Sequence, residues 1–478
     1  MKPRAFWIVI LGLIGTVLLI AQVRSSPPTA RTHLGGDRDR ERIGRSDVAP
    51  HAPNVLIVVT DDQRGGLSVM PQTRRWMKKG GTTFTNAFAT TPVCCPSRAS
   101  ILTGRYTHNH HVLSNDAEGD RLVQETTLEY YLHRAGYQTA LYGKYLNSWP
   151  TSQAIPFFDR WADSTKTGVY VNGIWNVNGK VETIPTYNTI YINEQAQQFL
   201  DQAAPQASPW FLYLAPAAPH GPFTPEAKYT HAPVSRWEGN KAVFERDPSD
   251  KPGFLHFNSE FRDGQKTRRR QFRTLMSVDD LVSEVFDTIK ELGQLKNTLV
   301  FFISDNGMMW GEHGLKGKRY PYEQSIRVPF LARWPGHIPA GVTDNRIVAN
   351  IDIAPTVLQA AGIAPAGAYP LDGRTLLRKS SQRNRILTEG YGGINRYRPV
   401  PGNWASIRTN HYMYAEYYKK DEMTLRFHEY YDLRTDPWEL HNLLGDGNRS
   451  NNPDLGALHR RLDRDRRCKG TTGPLACP

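Results

Sequence analysis

The sequence is short of cysteine and of long stretches of one charge. Four cysteines occur in 478 residues and no two of them form a C-x₂₋₄-C pair, which speaks against the usual structural zinc site. The formal net charge is +13, but the basic residues are scattered and do not form the continuous stripe typical of nucleic-acid binding. No internal repeat is apparent. We expect a globular protein with an anionic partner, such as a sulfated or phosphorylated glycan or a membrane surface, and without a nucleic-acid partner.

The N-terminus carries a long apolar run. Residues 5–21 read AFWIVILGLIGTVLLIA, without a charge, after the basic start Met1-Lys-Pro-Arg. This pattern is typical of a secretory signal or an N-terminal membrane anchor, and no A-x-A cleavage site decides between them. We predict that residues 1–23 are this signal or anchor and that residues 24–52 are a disordered linker. The rest is then exported, either secreted or tethered to the outer face of the membrane.

Export changes how the cysteines are interpreted. Cys468 and Cys477 flank a short tail of Gly, Pro and Thr, and in an oxidising compartment they can close a small disulfide loop. Cys94 and Cys95 are neighbours, and a disulfide between adjacent cysteines is strained and rare. This pair therefore needs another explanation.

Four apolar segments predict the strands of an α/β fold. NVLIVVT at 54–60 is a β-branched run typical of a strand buried on both faces, and YQTALYG, WFLYLA and TLVFFIS repeat the design further along the chain. Ligands bind at the carboxyl ends of such strands. The polar residues that follow the four strands are Asp61 and Asp62, Lys144, His220, and Asp305 with Asn306. We predict a mostly parallel central sheet flanked by helices.

Helix signals separate these strands. Caps and apolar spacing predict helices at 126–136, 190–204 and 268–293, while 222–265 is polar and proline-rich and predicts a surface excursion. Beyond Arg385, short alternating segments predict antiparallel strands, and 455–467 predicts a terminal helix. We expect a catalytic domain at 53–384 and a smaller C-terminal α+β subdomain at 385–478, containing a short antiparallel sheet.

The stretch TPVCCPSRASILTGRYTHNHHV at 91–112 concentrates reactive residues. Pro96 suits the first position of a helix and Gly104 suits the position after its end. Cys94 then lies just before a short helix, where the positive end of the helix dipole stabilises an anion or activates a nucleophile.

Asp61, Asp62, Asp305 and Asn306 form an all-oxygen set, which suits a hard cation such as Ca²⁺ or Mg²⁺. As a set they predict one metal site, although each Asp by itself can simply cap a helix.

Two other interpretations of the histidine-rich stretch stay open. Zinc bound by Cys94 and Cys95 with His108, His110 and His111 requires two adjacent sulfurs to point at one tetrahedral ion. A plain Cys94 nucleophile with a histidine base leaves the oxygen cluster without a role.

The motifs together resemble those of a known family. C-x-P-S-R followed by L-T-G-R, D-D after the first strand and D-N-G after a later one are similar to the sulfatases of the alkaline phosphatase superfamily. The resemblance runs from about Pro53 to the C-terminus. CCPSR, TGRYTHNHHV and GKYLN are similar to N-acetylglucosamine-6-sulfatases and heparan sulfate 6-O-endosulfatases, although Leu146 stands where many arylsulfatases have histidine.

The resemblance implies an alkaline-phosphatase-like fold and a role for each reactive residue. Cys94 would be oxidised to formylglycine by a formylglycine-generating enzyme and would join the metal site, with Ca²⁺ as the ion and Mg²⁺ as the alternative. The hydrated aldehyde would attack sulfur and later expel sulfate. Arg98 would anchor the nucleophile, and the groups that bind sulfate or protonate the leaving oxygen would be Lys144, His220 and Lys318. His108 and His110 would lie near the substrate.

The expected function is hydrolysis of sulfate esters on a sulfated sugar, such as 6-sulfated N-acetylglucosamine. One alternative is a phosphoester or phosphonate ester hydrolase on the same scaffold, and another is a catalytically silent protein that binds sulfated glycans. Lys316 and the basic segment KTRRRQFR at 266–273 are interpreted as solvated surface, with an electrostatic glycan contact as the alternative for the segment. Residues 396–398, Arg-Tyr-Arg, are interpreted as a sugar contact.

Overall fold

The computed structural model describes residues 52–116, 119–164, 166, 168–255, 259–378, 382–392, 402–421 and 423–478. The predicted signal or anchor, the predicted linker up to residue 51 and the hypothesised sugar contact at 396–398 lie outside the described residues. Within the described ranges, no helix has the length and apolarity that crossing a bilayer requires.

Three β-sheets, of ten, two and four strands, and a set of helices make up the regular structure of the described residues. The strands are β1 Asn54–Thr60, β2 Thr82–Phe88, β3 Gln138–Gly143, β4 Arg160–Ser164, β5 Gly173–Val177, β6 Lys180–Ile184, β7 Trp210–Ala215, β8 Thr298–Ser304, β9 Met309–Trp310, β10 Lys316–Gly317, β11 Phe330–Arg333, β12 Val342–Ala349, β13 Arg385–Gly390, β14 Asn403–Thr409, β15 Tyr412–Tyr418 and β16 Leu425–Asp432. The α-helices are α1 Pro71–Thr73, α2 Cys94–Thr103, α3 Thr107–His110, α4 Leu128–Arg134, α5 Asn188–Ala203, α6 Phe261–Glu291, α7 Glu323–Ile326, α8 Ile353–Ala361 and α9 Leu455–Asp465.

The large sheet has ten strands in the order β12-β2-β11-β8-β1-β7-β3-β4-β5-β6. Its central block, β8 to β4, is parallel throughout, whereas β11 and β5 join it antiparallel on either side. The mostly parallel α/β fold predicted from the sequence is confirmed. The strands β8, β1, β7 and β3 are consecutive neighbours, so the polar residues that follow them meet at one edge of the sheet.

Successive side chains of β1 point to opposite faces of the sheet, and apolar residues occur on both faces, so the sheet is covered on both sides. Val55, Ile57 and Val59 belong to one core, with side chains of α2, α4 and α8. Leu56 and Val58 belong to a second core, with side chains of α5 and α6. A fully buried Val, Leu or Ile side chain stabilises the fold by roughly 1.5–3 kcal/mol, so both layers hold the strand ends in place.

The C-terminal part contains a separate four-stranded antiparallel sheet, β13-β14-β15-β16. It packs in a third core that it shares with Phe88, Ile347 and Ala349 of the large sheet, and to which Leu458 and Leu462 of α9 contribute. Cys468 and Cys477 are joined by a disulfide, as expected from the sequence. The short antiparallel sheet is thus present, while a domain boundary at 384/385 stays a prediction.

Helix starts differ from the sequence-based expectations. The helix α2 begins at Cys94, not at Pro96, because Val93 is extended and its carbonyl already accepts the first helical bond from Ser97. Pro96 still fits, since the first turn of a helix needs no N–H donors. The cap of α4 is Thr127, one residue later than predicted.

The helix α6 begins at Phe261, inside the segment predicted to be a surface excursion. Gly264 allows the helix to extend this far toward its N-terminus. A Cβ atom at this position would lie 1.5 Å from the Trp310 carbonyl oxygen, so only glycine allows the first turns of α6 to pack on that backbone.

Candidate active site

The predicted metal ligands meet at the carboxyl edge of the parallel block. The ligand atoms of Asp61, Asp62, Cys94 and Asp305 all lie within 4.8 Å of one another. The Cys94 thiol donates to Asp61 Oδ1 at 3.3 Å, and the Asp62 backbone N–H donates to Asp305 Oδ1 at 3.1 Å. Residues that are far apart in sequence are thus brought to one point by neighbouring strands and the first turn of α2.

Asn306 completes the oxygen set. Its amide donates to Asp62 Oδ1 at 2.6 Å, and its Oδ1 accepts from Lys318 Nζ at 3.3 Å. Asp61, Asp305 and Asn306 are fully buried. Carboxylate and amide oxygens arranged in this way suit a hard divalent cation.

Three protein cations balance the three carboxylates. Lys144 Nζ donates to Asp61 Oδ2 at 2.6 Å, Lys318 Nζ donates to Asp62, and Arg98 Nε donates to Asp305 Oδ2 at 2.9 Å. Without further ligands this cluster is therefore close to neutral. A divalent ion would add the positive charge that attracts an anionic ester.

The electrostatics differ between the two carboxylates that flank Arg98. Burial alone would raise the pKa of Asp61, but the positive charges of Lys144, His220 and Arg98 hold that pKa well below its usual value. Burial raises the pKa of Asp305, and the charge on Asp61 raises it further. Asp61 is thus the more firmly ionised of the two.

Arg98 fixes the geometry around these groups. Its side chain is fully buried, and besides Asp305 its Nη1 donates to the Lys144 backbone carbonyl at 2.9 Å. A fork-shaped donor between two strand ends orders both of them, while the expected role of Arg98 as anchor of the nucleophile stays a prediction.

His220 presents one nitrogen to the site. Its Nδ1 lies 2.7 Å from the Gly221 carbonyl oxygen, which can only accept, so Nδ1 carries the hydrogen. Its Nε2 lies 3.7 Å from Asp62 Oδ2. The side chain is 27% exposed, so Nε2 can exchange a proton with a group that enters from solvent.

Cys94 is the first residue of α2 and is almost fully buried. Burial raises the pKa of its thiol, and the charges of Asp305 and Asp61 raise it further. Its Sγ also accepts a hydrogen bond from Lys318 Nζ. A buried, protonated thiol is a weak nucleophile by itself.

Cys95 points away from Cys94. Its Sγ lies 3.5 Å from the Asn147 carbonyl oxygen, and its backbone N–H donates to Asn115 Oδ1 at 2.8 Å. The metal-ligand groups found in the described part of the chain do not include Cys95 or a histidine of the 108–111 run. The zinc interpretation is therefore not supported.

The two histidines expected near the substrate are held by internal contacts. His108 Nδ1 lies 3.0 Å from Glu389 Oε2, and its Nε2 lies 2.9 Å from the Cys468 carbonyl oxygen. His110 is buried, with Nε2 3.0 Å from Ser100 Oγ and Nδ1 accepting from the Val112 N–H at 3.1 Å. Both ring nitrogens of His110 are used inside the protein, and a substrate role for either histidine stays a prediction.

Sequence reasoning gave no role to two residues that organise the site. Glu389 is the penultimate residue of β13 and pairs with His108. Asn350 donates to Ser97 Oγ at 2.9 Å and accepts from the Thr90 N–H at 3.1 Å, which ties α2 to the start of α8. No spacing rule points to either, because each contact joins segments more than 200 residues apart.

The His108–Glu389 pair gives a testable pH dependence of stability. Burial lowers the pKa of His108, but the Glu389 carboxylate outweighs burial and raises the pKa to about 9, above the value of about 6.5 in an unfolded chain. The pair therefore stabilises the fold fully below about pH 6.5, and this contribution is lost as pH rises toward 9. We expect His108→Gln to remove about 1–3 kcal/mol of pH-dependent unfolding free energy over that window.

Denaturant unfolding at pH 6 and pH 9.5 measures this effect. His459→Gln is a suitable control, because His459 also pairs with a buried glutamate but its side chain is 58% exposed, and exposed pairs contribute little. Parallel pH profiles for wild type and His108→Gln would contradict the assignment.

Comparison with known proteins identifies the family. A protein-family model described as Sulfatase matches residues 53–363, and one described as N-sulphoglucosamine sulphohydrolase, C-terminal, matches residues 311–467. The first match covers more than half of the chain. The protein therefore belongs to the sulfatase family, a family of sulfuric ester hydrolases.

Two curated relatives illustrate the likeness. A Caenorhabditis elegans Sulf-1 homolog, named as an extracellular sulfatase, is 38% identical over 68% of this chain, which spans only 48% of that protein. The human N-acetylglucosamine-6-sulfatase is 32% identical over 88% of this chain and 85% of its own length. The chain thus spans about half of the first relative and most of the second.

Solved structures share the fold. One, in complex with its substrate D-glucosamine-2-N,6-O-disulfate, has a TM-score of 0.71 at 22% identity and covers 86% of this chain and 97% of its own. The phosphonate monoester hydrolase of Silicibacter pomeroyi has a TM-score of 0.66 at 22% identity and covers 87% and 95%. The fold alone therefore does not select between sulfate and phosphonate esters.

Proposed function

We propose that this protein hydrolyses sulfate esters of a sulfated sugar, with 6-sulfated N-acetylglucosamine as the favoured unit. The observation that carries the proposal is the position of Cys94, at the start of α2 and within 4.8 Å of three carboxylates. Lysine, arginine and histidine side chains lie around the same point. This arrangement suits an anionic centre with a poor leaving group.

The nucleophile is formed from Cys94. In the proposed enzyme, a formylglycine-generating enzyme converts this residue to an aldehyde, so that Sγ marks the place of a hydroxyl of the hydrated aldehyde. Asp61 Oδ1, 3.3 Å from Sγ, is placed to accept a hydrogen bond from that hydroxyl and to orient it. Lys318 Nζ, which also contacts Sγ, favours its ionised form.

Asp61, Asp62, Asp305 and Asn306 would hold the metal ion, for which we propose Ca²⁺. When bound, the ion polarises sulfate oxygens and lowers the pKa of the nucleophile. Arg98 keeps Asp61 and Asp305 in position, because it contacts both carboxylates from a fully buried site.

The other cations act on the ester. Lys144 and Lys318 are placed to bind the sulfate oxygens by charge-assisted hydrogen bonds. His220 carries its fixed hydrogen on Nδ1 and faces the site with Nε2. A second proton, taken up at Nε2 from solvent, is the one that it can donate to the leaving oxygen.

The choice of a sugar 6-sulfate rests on the relatives. The human relative, whose sequence is matched over 85% of its length, is named N-acetylglucosamine-6-sulfatase. The match of residues 311–467 to a family model named N-sulphoglucosamine sulphohydrolase, C-terminal, supports a sulfated amino sugar but does not select the 6-position. The extracellular name of the Sulf-1 homolog and the Cys468–Cys477 disulfide support export.

Rates on paired substrates test the proposal. We expect kcat/KM for N-acetylglucosamine-6-sulfate to exceed that for the matching 6-phosphate by at least about 10²-fold. The reason is that an enzyme discriminates between two esters by how strongly it binds the transition state of each. The phosphonate monoester hydrolase neighbour makes a phenylphosphonate monoester the necessary third substrate. A preference for either phosphorus ester would replace the sulfatase assignment, and binding without turnover would favour a silent glycan-binding protein.

A further inference from the structure

A basic cavity lies next to the proposed active site. It has a volume of about 300 Å³ and is lined by Phe223, Asp263, Lys266, Thr267, Arg270 and Lys316. These residues come from the segment after β7, the first turns of α6 and the strand β10. None of them belongs to the cluster around Cys94.

Chain connectivity sets an upper limit on the distance between the lining residues of the cavity and residues of that cluster. Lys316 is two residues from Lys318, so their Cα atoms are at most about 7 Å apart, and Phe223 is three residues from His220, at most about 11 Å. Lys318 and His220 both contact Asp62. The cavity wall therefore continues from two elements that carry proposed catalytic groups.

The charge of the cavity favours an anion. Its described lining has the cations Lys266, Arg270 and Lys316 and the carboxylate Asp263. Within the described part of the chain, none of these three cations forms a salt bridge. Lys266 and Lys316 are exposed and Arg270 is half-buried, so their charges are available to a ligand that enters from solvent.

Phe223 adds an aromatic surface. It is half-buried, and its φ of 62° lies in the left-handed region, where a bulky side chain is an outlier and where an outlier points to function. An aromatic face beside cations can bind the apolar face of a sugar ring while the cations bind its acidic substituent.

We propose that this cavity, lined by Lys266, Arg270, Lys316 and Phe223, binds a second anionic group of the substrate, a sulfate or carboxylate on the sugar next to the one that is desulfated. The proposal rests on the proposed function for the reacting sulfate. It makes an oligosaccharide with at least two acidic groups the preferred substrate. The solvated surface expected for Lys316 and for 266–273 is then in part a binding surface.

Selectivity between two substrates tests the proposal. The probes are N-acetylglucosamine-6-sulfate and a disaccharide that carries the same ester and a second sulfate on the neighbouring sugar. The measured quantity is the ratio of kcat/KM for the disaccharide to kcat/KM for the monosaccharide. In the double variant Arg270→Gln/Lys316→Gln we expect this ratio to fall about tenfold, mainly through KM, because charge-assisted hydrogen bonds are lost.

Asp263→Asn provides the opposite change. It removes the carboxylate of the cavity and is expected to raise the same ratio about threefold, a gain that misfolding does not produce. Arg269→Gln is the matched control, because Arg269 is an exposed cation next to Arg270 that does not line the cavity. An unchanged ratio in both the double variant and Asp263→Asn would overturn the proposal.

Binding separates this proposal from the proposed function. Calorimetry on the Cys94→Ala protein should show the doubly sulfated disaccharide binding about tenfold more tightly than the monosaccharide, with the difference lost when Arg270 and Lys316 are also replaced. If this difference is found but neither sugar is hydrolysed by wild type, the cavity assignment stands and the proposed reaction falls. If the two sugars bind equally to the Cys94→Ala protein while wild type hydrolyses them, the cavity assignment is refuted and the proposed reaction stands.

Discussion

Replacing Cys94 by alanine is expected to lower kcat/KM for sulfate ester hydrolysis by at least about 10⁴-fold, because loss of a covalent nucleophile removes the main reaction path. The side chain is small and buried in the first turn of α2, so alanine fits without new contacts. The sulfatase should therefore fold normally and still bind its substrate.

Cys95→Ala is the matched control. Cys95 is the next residue in the same turn and is also fully buried, but its sulfur faces the Asn147 carbonyl and not the carboxylate cluster. We expect its kcat/KM to stay within about threefold of wild type, with a loss of stability of about 1 kcal/mol from the core. Equal losses of activity in both variants would show that the activity depends on the packing of this helical turn and not on the Cys94 side chain.

Mass spectrometry of the peptide that contains Cys94 distinguishes formylglycine from a plain thiol. Active protein should carry an aldehyde at Cys94 and an unmodified thiol at Cys95. An unmodified Cys94 in fully active protein would support the alternative in which a cysteine nucleophile acts with His220 as its base, since Asp61, Cys94 and His220 also have ligand atoms within 4.8 Å of one another.

Removal of the divalent ion is expected to have the second-largest effect. Exhaustive chelation should lower kcat/KM by about 10²–10³-fold, the size of loss found when one strong electrostatic contact to a transition state is removed. Added Ca²⁺ should restore the rate. Because the ion binds only the folded cluster, Ca²⁺ at one hundred times its Kd should also stabilise the protein by about 2.7 kcal/mol.

Asp62→Asn tests whether this cluster is the site. Asp62 accepts hydrogen bonds from Asn306 and Lys318, so the amide keeps the shape but loses the charge, and the Kd for Ca²⁺ should rise at least about tenfold. Asp279→Asn is the control, because this buried carboxylate binds the backbone N–H groups of Gln72 and Thr73 outside the site. An unchanged calcium response in Asp62→Asn would exclude the proposed ligand set.

The positions of the charged residues could largely be predicted from the sequence. Asp61 and Asp305 follow short apolar runs typical of buried strands, and parallel strands place their carboxyl ends at one edge of the sheet. The bounds of α2 were less predictable, because Pro96 is accepted anywhere in a first turn. The bond from Ser97 to the Val93 carbonyl, which starts the helix at Cys94, depends on how the preceding loop is held.

Contacts between distant segments were beyond sequence reasoning. His108 was expected near the substrate on a motif alone, and the structure shows it between Glu389 and the Cys468 carbonyl. The partners lie on β13 and beside the disulfide, and their approach depends on the packing of the C-terminal sheet. Local propensity carries no information about such packing.

The sequence by itself determined the α/β class, the reactive cysteine close to a helix start and the acidic residues at the strand ends, because these follow from hydrophobic periodicity and from short motifs. Only the tertiary structure decided which cation meets which carboxylate: Lys144 with Asp61, Lys318 with Asp62 and Arg98 with Asp305. The cavity lined by Lys316 and Phe223 is also visible only in the tertiary structure. The physical reason is that charge pairs and cavities depend on distances across the fold, which spacing along the chain does not contain.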